Sequence, residues 1–113
     1  TGSAIVWAWF LSHHGDDVEP RLLGTPNTEA AWVLRRWGVD QPPIIEDVAP
    51  GQPCVVVDTN NVAELPASIN LADLRAVIDH HKLVPGLETK APIEVTIRPV
   101  ACTCTLLYQL MGG

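Results

Sequence analysis

Polar punctuation divides the chain into two kinds of apolar run: long ones in the first third, and short β-branched ones after it. Ala4-Ile5-Val6-Trp7-Ala8-Trp9-Phe10-Leu11 has no polar position. That predicts a helix from Ala4 to about Ser12, buried on most of its sides. Ser3 is placed to cap it and Gly15 to end it. His13 and His14 fall in its last turn, where a cation suits the helix dipole, so capping explains them better than catalysis. Val18 to Leu23 reads as a short strand, which Pro20 confines to an edge or a bulge. Asn27 is placed to cap a second helix, with Glu29 in its first turn, Val33, Leu34 and Trp37 on one face, and Gly38 at its close. Pro42-Pro43 is a break before a short extended piece at Ile44-Ile45.

The later runs are β-like. Pro53-Cys54-Val55-Val56-Val57 predicts a strand and ends in Asp58. Asn70 is placed to cap a short helix over Leu71 to Leu74. Ala76-Val77-Ile78 then predicts a buried strand that runs straight into Asp79-His80-His81-Lys82. If the strand pattern persists, His80 and His81 point to opposite sides, so one could hold a metal while the other faces substrate. Val84-Pro85-Gly86 turns the chain. Ile93-Glu94-Val95-Thr96-Ile97 alternates and predicts a half-buried strand. A last helix over Leu106 to Met111 has Cys102 or Thr103 near its start, where free backbone amides can hold phosphate. Strands alternating with helices predict an α/β fold: a mostly parallel, Rossmann-like sheet with helices on both faces. Two strands that each end in a carboxylate-bearing turn point to a site, because parallel strands bring their carboxyl ends together.

Composition narrows the options. The 113 residues suit one compact domain, and a hydrophobic content of 47% argues against disorder. Seven Lys and Arg against a net charge of −6 do not make a nucleic-acid footprint, so no nucleic-acid partner is expected. Bound metal ions could still supply the positive field that an anionic substrate needs. Three cysteines make no disulfide framework, and a reducing, cytoplasmic setting is the simpler inference. No apolar run is long enough to span a membrane. The chain opens on Thr1-Gly2-Ser3 and stops at Gly112-Gly113 directly after a helix, which suggests a domain incomplete at both ends.

Asp58, Asp79, His80 and His81 form a mixed oxygen and nitrogen donor set. It suits Mn²⁺, Fe²⁺, Co²⁺ or Zn²⁺ better than Ca²⁺ or Mg²⁺ alone. Two such ions can clamp a phosphoryl group, with Asp58 the carboxylate placed to touch both. Cys102-x-Cys104 is half of a zinc pattern without a second half, so small residues at a helix start are the better reading. The four tryptophans read as core rather than as stacking platforms for bases. Lys82 is either a solvated charge or a phosphate contact.

The block Val77-Ile78-Asp79-His80-His81-Lys82 resembles the signature of the Asp-His-His phosphoesterase superfamily. Gly24-Thr25-Pro26-Asn27-Thr28-Glu29 with Val33-Leu34 and Gly38-Val39, Val55-Val56-Val57-Asp58 with Asn60, and Pro99-Val100-Ala101-Cys102-Thr103-Cys104-Thr105 are similar to segments of family II inorganic pyrophosphatases. Ser3-Ala4-Ile5 resembles the helix start that follows that family's first motif. The five matches are collinear over nearly the whole chain.

The resemblance implies a metal-dependent enzyme that hydrolyses inorganic diphosphate to two phosphates by a hydroxide bridging two Mn²⁺ or Co²⁺ ions. Mg²⁺ can accompany the substrate. Asp58 and His80 would be metal ligands. His81 and Lys82 would contact substrate. His81 and Asp79 would be the catalytic pair, with Asp79 orienting the histidines. Residues 1–113 would be a partial N-terminal metal-binding domain, with the substrate-binding C-terminal domain and further ligands elsewhere, so this chain alone should be nearly inactive. A homodimer is allowed. Thr59, Asn61 and Ala101 depart from the family pattern, which has His, Glu and Gly there. Two other readings stand beside this one. One is an Asp-His-His phosphoesterase acting on polyphosphate, short oligonucleotides or a cyclic dinucleotide. The other is a regulatory domain of the same fold without catalysis.

Overall fold

A computed structural model describes residues 2–112; Thr1 and Gly113 lie outside the described residues. The chain divides after Ile45 into two compact units.

In the first unit, α1 spans Gly2–His13, so Ser3 lies inside the helix rather than at its cap. The expected burial on most sides is not met. Only Ser3 of α1 is buried, while Val6 and Trp9 are exposed. An all-apolar helix buries only the faces that neighbours cover, and this unit offers one other helix and a single strand-like bridge. The end of α1 follows the sequence. The Nδ1 atoms of His13 and His14 bond the carbonyls of Trp9 and Phe10, each at 2.9 Å, and Gly15 takes φ +92°. Each ring thus reaches back one turn to a carbonyl near the C-terminal end of the helix. The strand expected at Val18 to Leu23 is only one parallel bridge, Leu22 to Ile44. Pro20 has no N–H to extend it.

Helix α2 spans Thr28–Arg36, and Asn27 Oδ1 accepts from Ala30 N at 2.8 Å, a cap worth about 1 kcal/mol. Its aromatic residues are not core. Trp32 and Trp37 are exposed, as is Trp9 on α1, and Trp37 carries the Arg36 guanidinium at 5.0 Å from its ring.

The second unit holds a parallel three-stranded sheet, and the fold is α/β. Its strands are β1 (Pro53–Val57), β2 (Asp73–Asp79) and β3 (Glu94–Ile97), in the order β1-β2-β3. The short helix expected at Leu71 to Leu74 is replaced by a 3₁₀ turn at Ile69–Leu71, and β2 starts at Asp73. Charged Asp73 and Arg75 pair at 2.7 Å. Leu74, Val77 and Ile78 are buried, so β2 reads as a central strand. Helix α3 (Thr103–Leu110) packs on β2 through fully buried Leu106 and Leu107. Burial of each contributes roughly 1.5–3 kcal/mol.

Candidate metal centre

The site forms where the three strands end. Asp58 N donates to Ile78 O at 2.8 Å, which carries the β1–β2 ladder one residue past β1. Asp58 itself sits at φ +68°, a left-handed conformation that costs a non-glycine residue roughly 1–2 kcal/mol. This bend turns the chain out of the sheet, with the carboxylate facing the end of β2. Thr103 Oγ1, almost fully buried at the start of α3, donates to Asp58 Oδ1 at 2.7 Å. His80 Nε2 lies 3.4 Å from the same oxygen. The segment after β3 therefore crosses the carboxyl end of the sheet. Val100 O meets His80 Nδ1 at 3.2 Å, and three residues later Thr103 holds Asp58.

Asp79 is the fixed point. Its side chain is 0% exposed, and both oxygens are engaged. Oδ1 accepts from His80 N and His81 Nδ1, and Oδ2 accepts from Asn60 Nδ2, each at 2.7 Å. Burial pushes this carboxyl up, but the hydrogen bonds from Asn60, His81 and His80 outweigh it and hold the group below the usual carboxylate range. The hydrogen bond to Asp79 and its negative charge raise His81 above the ordinary imidazole value.

The two histidines do not diverge across a strand, as the alternation of the sequence predicts. β2 ends at Asp79, whose carboxylate binds the His80 amide and the His81 ring together. The two rings lie side by side, tilted by 42°, with centroids 4.2 Å apart. Both therefore face one site. Each imidazole has a defined tautomer. A carbonyl and a carboxylate can only accept, so Nδ1 carries a proton in both rings, and in the neutral form of each ring Nε2 keeps its lone pair. A metal-ligating histidine presents this arrangement, with the far nitrogen bound to an oxygen acceptor. One ligand atom each from Asp58, Asp79, His80 and His81 lies within 4.8 Å of all the others. With Asp79 occupied by its donors, Asp58 Oδ1 and His80 Nε2, 3.4 Å apart, remain as the facing oxygen and nitrogen, with the His81 ring beside them. That mixed donor set fits a first-row divalent ion.

Lys82 is exposed beside the cluster, and its carbonyl accepts from Asn60 Nδ2 at 3.1 Å. Thr59 and Asn61, which depart from the resembled pattern, order the loop after Asp58. Thr59 Oγ1 donates to Glu64 Oε2 at 2.8 Å, and Asn61 Oδ1 accepts from Ala63 N at 3.0 Å. Sequence reasoning gave Thr103 no side-chain role and Asn60 no role beyond its place in a motif. A hydroxyl residue at a helix start and an Asn two residues after an acid were the available signals.

The sequence profile described as "DHH family, N-terminal domain" matches residues 1–112. The probable manganese-dependent inorganic pyrophosphatase of Deinococcus radiodurans is 36% identical over 108 residues, which cover 96% of this chain and 34% of that protein. The manganese-dependent inorganic pyrophosphatase of Methanocaldococcus jannaschii is 39% identical over 108 residues, covering 96% and 33%. The crystal structure of a putative family II inorganic pyrophosphatase from Methanococcus jannaschii superposes with a TM-score of 0.82 at 38% identity, covering 96% of this chain and 33% of that one. The chain thus spans about a third of the length of the curated relatives it matches.

Proposed function

The chain belongs to the DHH family, and from that premise we propose that it is the N-terminal metal-binding part of a manganese-dependent inorganic pyrophosphatase, which hydrolyses diphosphate to two phosphates. The observation that carries this reading is the meeting of Asp58, His80 and His81 at the end of a parallel sheet, with His80 Nε2 3.4 Å from Asp58 Oδ1 and both histidine Nδ1 atoms held by oxygen acceptors. The names of the relatives support the metal and the substrate.

Asp58 and His80 hold the metal, and Thr103 and the Val100 carbonyl aim them. His81 has a side chain 56% exposed against 19% for His80, which suits it to meet a substrate phosphate. Its raised affinity for a proton, set by Asp79, suits a donor to a phosphate oxygen. Asp79 orients both histidines without touching substrate. Lys82 adds a charge at the rim. Two or more divalent ions, when bound, supply the positive field and the acidity that make water a nucleophile near neutral pH. This chain spans about a third of those relatives, so the substrate-binding domain falls outside residues 1–113, which alone bind metal weakly and turn over little.

The test is diphosphate hydrolysis with Mn²⁺ by the full-length polypeptide, with and without Asp58→Ala. The expected result is turnover that the substitution abolishes. Turnover of oligonucleotides or polyphosphate in place of diphosphate would move the protein to another branch of the family, and full activity in Asp58→Ala would remove Asp58 from the centre.

A further inference from the structure

Asn60 lies outside the donor set, yet it bonds the chain on both sides of the two histidines, at Asp79 before them and at Lys82 and Val84 after them. It is 2% exposed. Its Nδ2 donates to Asp79 Oδ2 at 2.7 Å and to Lys82 O at 3.1 Å, and its Oδ1 accepts from Val84 N at 2.9 Å. Both amide protons and the carbonyl are thus used. The orientation has no alternative: a flipped amide would set Oδ1 against a carboxylate and a carbonyl, and Nδ2 against an N–H. One side chain on the β1 loop therefore fixes the Asp79 carboxylate and also ties down the chain on the far side of His80 and His81.

We propose that Asn60 is a positioning residue for the histidine pair, acting through Asp79 and through the backbone of Lys82 and Val84. The inference rests on the reading of the cluster as a metal centre. A carboxylate that takes its third hydrogen bond from Asn60 cannot swing away from His81 Nδ1, and the 80–84 loop cannot lift the rings from Asp58. Asp is nearly the shape of Asn but has no N–H to give and sets a second carboxylate against Asp79, so Asn60→Asp removes both donated bonds, repels the Asp79 carboxylate and leaves no cavity.

The experiment is nitrogen NMR of histidine-labelled, metal-free full-length protein at alkaline pH, where the imidazoles are neutral, followed by Mn²⁺ titration. The unmutated protein should show His81 protonated at Nδ1 with a slowly exchanging proton. In Asn60→Asp that proton should exchange fast and the Nε2-protonated tautomer should appear, with cooperative unfolding retained. Mn²⁺ affinity should fall about 10–100-fold. An unchanged His81 tautomer in folded Asn60→Asp overturns the proposal. If the variant does not fold, the side-chain amide protons of Asn60 in the unmutated protein decide: exchange as slow as the β2 backbone amides supports the proposal, and fast exchange overturns it. Failure of the unmutated protein to take up Mn²⁺ would sink the functional reading, whereas the tautomer result judges Asn60 on its own.

Discussion

Asp79→Asn changes one atom at the centre of the site, and the structure sets its cost. The new Oδ1 can still accept from His80 N and His81 Nδ1. The new Nδ2, however, faces Asn60 Nδ2, which now donates to Asp79 Oδ2 at 2.7 Å. Asn60 cannot turn to help without losing Lys82 O and Val84 N. A stranded buried donor costs about 1–3 kcal/mol, and the two surviving bonds lose their charge assistance. The sum is about 2–4 kcal/mol, or a fall in Tm of roughly 8–16 °C for a domain of this size. The pH dependence gives a second reading of the same bonds. Asp79 has its folded pKa depressed, so the native state binds fewer protons than the unfolded chain. Its contribution is present above about pH 4 and is lost as pH falls through the folded value. His81 has its folded pKa raised, so its contribution is present below about pH 6.5 and is lost as pH rises through the raised value. Urea unfolding of both proteins, repeated from neutral to strongly acid pH, should show the advantage of the unmutated chain shrinking on the acid side. Superimposed curves at neutral pH, or a gap that does not change with acid, would refute the reasoning.

Three further outcomes follow from the geometry. Thr103→Val keeps the buried shape but removes the donor to Asp58 Oδ1, so Mn²⁺ affinity should fall about 10-fold in a titration, and equal affinity would deny Thr103 its aiming role. Because Asp58 sits at φ +68°, Asp58→Gly should unfold about 1 kcal/mol later than Asp58→Ala in denaturant while both lose Mn²⁺ binding, and an equal or reversed order would contradict the left-handed turn. Gly86 has φ +129°, and a Cβ there would lie 2.7 Å from Val62 Cγ2, so Gly86→Ala should cost about 2 kcal/mol or more, and an unchanged melting curve would show the contact to be wrong.

The sequence disclosed the elements whose signal is local. Pro53–Val57 and the apolar end of β2 stood out because strands covered on both faces are continuously apolar. The acids that end them marked the site because parallel strands share a carboxyl edge. The Asp79-His80-His81 block pointed to the DHH family that the profile match shows. What escaped depends on contacts across the chain. The start of β2 was hidden because Asp73 and Arg75 are charged, and they are tolerated there by pairing with each other. The tryptophans looked like core because hydrophobicity says what a side chain prefers, not whether a neighbour covers it. The His80 and His81 rings were assigned to opposite sides because strand alternation was extended two residues too far; Asp79 ends the strand by capturing the next amide and the ring after it. Thr103 was unreadable as an Asp58 partner because the two lie 45 residues apart in sequence.

The claim at the centre of the account is that Asp58 and His80 bind one divalent cation. Anomalous diffraction at the manganese edge, from crystals of the full-length polypeptide grown with Mn²⁺, tests it most directly. The expected result is a peak within bonding distance of an Asp58 carboxylate oxygen and His80 Nε2, with Thr103 still hydrogen-bonded to Asp58. A manganese peak elsewhere with none between these two side chains would contradict it.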